Sequence, residues 1–307
     1  MIKLLYLLYI KYNRAVCRRK EYKMHKNIIL VAETGSDIPK ELADKLGIYL
    51  VPMHVTMGGA ILDDGTFPAE DVCAYYDKTG KCPTTSGSTP FDFEKVLDEI
   101  HAAHPDKKIL HLAYSAVTTC SYQSCIVASE GRDYVKSIDT KHVSVGQAAV
   151  VLAVQKYLDE HPDATLEEAA DYAVKVGLET KMCFIPKNLD YLRAGGRVSN
   201  ASHIIGTLLS LVPCIEIIDG KLMATKKYRG NFKKIVAKLV EEYITNNNLD
   251  KEHLYLITTP YLSREIEEIA EEAVKNLGVK NFTWMRTGCV ITCHGGPGAF
   301  GIVGTAK

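Results

Sequence analysis

The feature that most constrains this chain is an alternation, across its first half, of short β-branched apolar runs with helix-like stretches. NIILVAE (27–33) leads through TGSDIP into KELADKLG, which reads as strand, loop and helix, with Asp37 expected as the N-cap and Gly47 as the C-cap. IYLVPMHVTM (48–57) reads as one strand and GGAILDDGTFPAEDV as a turn-rich stretch. TPFDFEKVLDEIHAAHP follows as a helix, with Thr89 capping and Pro90 in the first turn. KKILHLAY is then a strand, CSYQSCIVASEG a helix, KHVSV a further strand and GQAAVVLAVQKYLDE the helix after it. Such alternation implies a largely parallel sheet covered by helices.

The pattern changes past ATLEEAADYAVKVGLE, where Thr165 and Glu168 have capping-box spacing. CFIPKNLDYLRAGGRVSN begins like a strand and holds a glycine pair, and VPCIEIIDGKLMATKKY reads as a hairpin turning at Asp219-Gly220. SREIEEIAEEAVKNLG sets Ile266, Ile269, Ala270, Ala273, Val274 and Leu277 on one helical face, while HLYLITT and NFTWMRT supply strands. The expected fold is therefore α/β. A layered N-terminal domain with a largely parallel sheet (24–184) precedes a smaller C-terminal α+β sandwich domain (185–307). Residues 1–23 are expected to be an extension outside the fold. Their apolar run is far shorter than the roughly 20 residues that span a bilayer, and no small-residue cleavage site follows it.

Charge and cysteine usage narrow the function. Among 307 residues, Lys+Arg and Asp+Glu are both 37, whereas nucleic-acid binding normally brings a basic excess. Nine cysteines lie scattered without a C-x-x-C pair or zinc spacing, which points to reduced thiols in the cytoplasm and to no metal site. The chain also lacks a phosphate-binding G-x-x-x-x-G-K-[ST] loop, a G-x-G-x-x-G after its first strand, a G-x-S-x-G elbow and an H-E-x-x-H helix. Those absences weigh against nucleotide hydrolysis, dinucleotide redox chemistry and zinc proteolysis.

Four polar clusters carry the candidate chemistry. TTSGSTP (84–90) offers five hydroxyls, Thr85 and Ser86 among them, just ahead of a helix start. Such a place suits an anion, and equally a plain capping loop. YSAVTTCSYQS (114–124) brings Thr118, Thr119 and Ser121 to the carboxyl end of a strand, where ligands of open α/β sheets sit. In LRAGGRVSN, Arg197 is either a solvated charge or a guanidinium held against a carboxylate or phosphate. In TCHGGPGAFG (292–301), His294 precedes four glycines, which would allow something to approach the backbone closely.

In this order, from about residue 27 to the end, these segments resemble the DegV family of fatty-acid-binding proteins. VAETGSDIP is similar to the family's T-D-S-T-x-D-L-P, and TTSGSTP stands where the family has T-S-Q-P-S-P. LDYLRAGGRVS matches L-x-Y-L-x-x-G-G-R-I-S and HGGPGAFG matches H-x-G-P-G-A-x-G. SAVTTCSYQS departs from S-S-G-L-S-G-T-Y-Q-S: Val117 and Cys120 replace glycines, and Thr119 replaces serine. The resemblance implies two domains with one long-chain fatty acid between them and no other cofactor. It implies a carboxylate held by Thr85 or Ser86 and Thr119, with Arg197 and His294 nearby, and a separate fatty acid kinase that phosphorylates the bound acid. KKYRG, with Lys226, Lys227 and Arg229, resembles a family segment that could dock that kinase. The rival reading is an acyl-ester or thioester hydrolase using a Thr or Ser hydroxyl, such as that of Thr119, with His294 as base, although no carboxylate that would orient the histidine is evident from the sequence.

Overall fold

The computed structural model describes residues 25–198 and 211–307. The expected extension, residues 1–23, lies outside the described residues. The first strand, β1 (Ile28–Glu33), is buried along its whole length. Helix α1 (Lys40–Leu46) follows, then β2 (Tyr49–Val51), β3 (His54–Met57), β4 (Ala60–Asp63) and helix α2 (Glu70–Thr79). Next come β5 (Thr84–Ser86), α3 (Pro90–Ala103), β6 (Lys108–Ala113), α4 (Ser121–Ala128), β7 (Val135–Asp139), α5 (Ser144–Glu160) and α6 (Leu166–Glu179). Strands β2-β1-β6-β7 form a wholly parallel sheet, and β4-β3-β5 form a small antiparallel sheet beside it.

The second half supplies β8 (Thr180–Ile185), α7 (Leu189–Gly195), β9 (Leu211–Ile218), β10 (Lys221–Arg229), α8 (Phe232–Asn246) and β11 (Leu254–Thr258). Helix α9 (Arg264–Asn276), β12 (Phe282–Arg286), α10 (Cys289–Gly295) and β13 (Phe300–Thr305) complete it. Its six strands order as β10-β9-β8-β13-β11-β12 in one mixed sheet. β8, just ahead of the division expected near residue 185, pairs with β13 and β9 in this second sheet.

Strand alternation explains the layering. On β1, Ile29 and Val31 join Phe93, Leu97, Ile100 and Cys125 under α3 and α4, while Ile28, Leu30 and Ala32 face the opposite way. That opposite face meets α5, which also contacts β8, β11 and β13 of the second sheet. On β8, Met182 and Phe184 look toward this shared central core, and Cys183 and Ile185 look outward to the layer of α8 and α9. A strand buried on both faces needs the near-continuous apolar run that β1 shows.

Several local expectations are corrected. IYLVPMHVTM is two strands in two sheets, because Pro52 has no N–H to continue a ladder. Asp37 is not the cap of α1; Pro39 holds that position, and Asp37 sits at φ 59° with a buried carboxylate. KHVSV is not a strand: Lys141 and Ser144 have φ 56° and 51°, and the strand is the earlier β7. The turn-rich stretch after Met57 contains β4 and the start of α2, and the segment around His294 is helical up to Gly295. The Asp219-Gly220 hairpin, the Thr89 N-cap, the Thr165 capping box and the Gly47 C-cap all form as the sequence indicates, and Thr89 in addition forms a capping box with Asp92.

Candidate functional site

A cavity lies between the loops of the parallel sheet and the inner face of the mixed sheet. Thr85, Ser86, Thr119, Arg197 and His294 all line it, although they come from four segments spread over more than two hundred positions. The remaining wall is chiefly apolar, with Met53, Met182, Phe184, Leu222, Ile257 and Phe300 among its residues.

Each polar residue is placed by a local device. Thr85 is on the short strand β5, paired with Val55 of β3. Its Oγ1 shares a 2.8 Å hydrogen bond with His294 Nε2. Thr119 lies in the loop before α4, and its hydroxyl is 3.3 Å from Ser121 Oγ. Ser88 N–H donates to that Ser121 oxygen at 3.0 Å, tying the two hydroxyl-rich loops together. Gly87 makes this packing possible, since a Cβ there would lie 2.2 Å from Thr119 Oγ1 and 2.7 Å from Ser121 Oγ. Arg197 follows α7 and is exposed; its guanidinium donates to Gly195 O at 2.8 Å. Ser86 is exposed as well, so the polar end of the cavity includes groups in contact with solvent.

His294 occupies the last turn of α10. Burial, assisted by the Arg197 charge, pushes its imidazole down to about pKa 4, so the ring is neutral at pH 7. Its Nδ1 has no hydrogen-bond partner among the described residues. A Cβ on Gly195 would sit 2.3 Å from that nitrogen, so the first glycine of LRAGGR exists to admit the ring. This corrects the reading of the glycines after His294. Of those four, Gly295 lines the cavity. Gly296 abuts Tyr191, Gly298 abuts Lys187 and Gly301 abuts Cys183 O, so these three serve chain packing.

The histidine engages Thr85 rather than Thr119, and among the described residues no carboxylate orients it. The structure thus gathers hydrogen-bond donors and a cation around one end of an apolar chamber, without a nucleophile, base and orienting acid in sequence. Among the described residues no cluster of three His, Cys, Asp or Glu side chains could hold a metal, and no helix is long and apolar enough to cross a membrane. The eight cysteines of the described residues are free thiols.

Sequence reasoning missed Ser144, which lines the cavity from the start of α5, and most of the apolar wall. Inward positions on β8 and β11 carry a period-two signal, but nothing in it distinguishes a wall from a core.

Comparison with known proteins agrees with this architecture. A DegV domain-containing protein of Caldanaerobacter subterraneus is 27% identical over 281 residues, 90% of this chain and 98% of its own. A DegV family protein from Thermus thermophilus, whose structure concerns fatty acid binding, superposes with a TM-score of 0.82 at 25% identity, covering 92% of this chain and all of its own. A hypothetical protein from Thermotoga maritima, whose structure reveals a fatty acid binding function, gives 0.76 at 25% identity with the same coverage. The family model described as "Uncharacterised protein, DegV family" matches residues 27–307, and the chain accordingly belongs to the DegV family.

Proposed function

We propose that this protein binds a long-chain fatty acid in the cavity between its two sheets and presents the carboxylate to a separate kinase in the cytoplasm, which converts it to an acyl-phosphate. The observation that carries the reading is the convergence of Thr85, Ser86, Thr119, Arg197 and His294 on one chamber whose other walls are apolar. A buried carboxylate is costly unless hydrogen-bonded or paired, and these side chains supply hydroxyls, an imidazole and a guanidinium. Relatives at 25% identity that bind fatty acids support the same reading.

The kinase would meet the exposed rim that holds Ser86 and Arg197. Lys226, Lys227 and Arg229 on β10 are exposed and would extend a docking surface, and Lys226 also pairs with Glu242 at 2.7 Å. Native mass spectrometry of the purified protein tests the core of this proposal. A retained mass in the fatty-acid range, lost on delipidation and regained on adding oleate, is the expected result. A chamber that takes up no acyl chain under these conditions would refute it.

A further inference from the structure

The helix that carries His294 brings no cap of its own. α10 has seven residues, and the position before it, Gly288, offers no side-chain oxygen. Its leading N–H groups are satisfied from the other half of the chain. Gly288 N–H donates to Asp37 Oδ1 at 2.6 Å. Cys289 N–H donates to Asp64 Oδ1 at 2.8 Å, and Val290 N–H reaches the same oxygen at 3.3 Å. Asp37 and Asp64 are both buried. Gly288 has an ordinary φ of −73°, so no backbone constraint requires glycine there. A Cβ at that position would lie 3.0 Å from Asp64 Oδ1 and 3.4 Å from Asp37 Oδ1, so the missing side chain makes room for the carboxylates.

The cavity wall is tied into the same contact. Ser144, a lining residue, donates its hydroxyl proton to Asp37 Oδ2. Asp37 and Ser144 are both non-glycine residues at positive φ, 59° and 51°, a conformation that persists where its surroundings over-determine it. Asp64 N–H donates to Met53 O at 2.8 Å, and Met53 also lines the cavity.

We propose that Asp37 and Asp64 are positioning residues for the head-group site: from the first half of the chain they fix the start of α10 and thereby set where His294 meets Thr85. A seven-residue helix has little stability of its own, and removing the carboxylates would leave its buried N–H groups without acceptors. The helix would then move to find others, and the imidazole at its far end would leave its 2.8 Å contact with Thr85 Oγ1. The affinity readout of this inference rests on the fatty-acid reading; the clamp itself does not.

The test is a double-mutant cycle on the full chain, with binding measured by titrating a fluorescent polyene fatty acid. Asp64→Asn keeps a carbonyl oxygen that can accept from Cys289 and Val290, and it should bind within about threefold of the unmodified protein. Asp64→Leu is similar in size and has no acceptor, so it should bind at least about tenfold more weakly. Combined with His294→Ala, the leucine substitution should add less than about twofold, because both changes act through one ring. Fully additive losses, or equal losses for asparagine and leucine, would overturn the proposal. Should Asp64→Leu fail to fold, Gly288→Ala, which crowds both carboxylates, takes its place in the cycle. If the unmodified protein does not bind the probe, the fatty-acid reading fails separately. The clamp is then judged by the NMR signals of the His294 ring: a displacement in Asp64→Leu but not in Asp64→Asn supports it, and unmoved signals in both overturn it.

Discussion

His294 gains its position from what surrounds it more than from its own segment. Its Nε2 meets Thr85 from one side, and Gly195 leaves space for Nδ1 on the other. A hydrogen bond to a charged group contributes about 1.5–3 kcal/mol, which is roughly ten- to a hundred-fold in affinity. His294→Ala and Arg197→Ala should each weaken fatty-acid binding within that range while the fold stays cooperative, as read by displacement of a fluorescent lipid. Unchanged affinity in both variants would remove them from the site. Gly195→Ala makes a sharper steric prediction: its methyl would press on the imidazole, so binding should fall about as far as in His294→Ala although no polar atom is lost. The ring also predicts a pH effect. Unfolded, it takes a proton near pH 6.5; folded, it stays neutral down to about 4. The folded state therefore binds fewer protons across that window, and the ring's contribution to stability is complete above pH 6.5 and is lost as pH falls toward 4. His142, buried and likewise lowered to about 4, acts in the same direction. Between pH 7 and 5 the loss from His294 should be on the order of 2 kcal/mol. Urea unfolding of His294→Gln should show a shallower decline than the unmodified protein, and an identical decline would contradict the assignment.

Helix starts with side-chain caps and the hairpin turn were the most legible elements. Thr165 and Glu168 exchange the expected reciprocal bonds at the start of α6, a helix that contributes no residue to the cavity lining. Thr165→Ala should therefore cost about 1 kcal/mol of stability and leave lipid binding unchanged; a change in affinity would show that α6 communicates with the site. Where the sequence misled, distant partners had overridden local preference. Asp37 has the chemistry of an N-cap and serves one, but on α10 rather than on the adjacent α1. KHVSV carries two β-branched valines at alternate positions, yet its backbone turns at Lys141 and Ser144 so that Ser144 can reach Asp37. The site was legible at its motif residues, since Thr85, Ser86, Thr119, Arg197 and His294 do line one cavity. Its apolar wall was not, because Met182, Phe184 and Ile257 follow the same alternation as residues that pack a core. Only the spacing between sheets separates the two cases, and that is a property of the whole arrangement.

The two sheets share α5 and one central core, which walls the chamber. Each methylene buried there contributes about 0.8 kcal/mol, so a long acyl chain offers on the order of 10 kcal/mol before association costs. The polar groups are graded outward: Thr85, Thr119 and His294 are partly buried, while Ser86 and Arg197 are exposed. A carboxylate held at that end would be anchored yet open to a second protein. The neutral imidazole has no orienting acid among the described residues, and the hydroxyl it contacts belongs to Thr85. We therefore expect the isolated protein neither to hydrolyse ATP nor to cleave acyl esters or acyl-CoA above background. With ATP, Mg²⁺ and a cognate fatty acid kinase, the bound acid should become an acyl-phosphate, trapped as a hydroxamate. Charge reversal at Lys226, Lys227 and Arg229 should slow that coupled reaction without altering lipid affinity, and reversal at Lys226 also removes its pair with Glu242. Ester cleavage by the protein alone, abolished in Thr85→Ala or Thr119→Ala, would instead make the hydroxyl a nucleophile and His294 its base. The carrier reading would then fall.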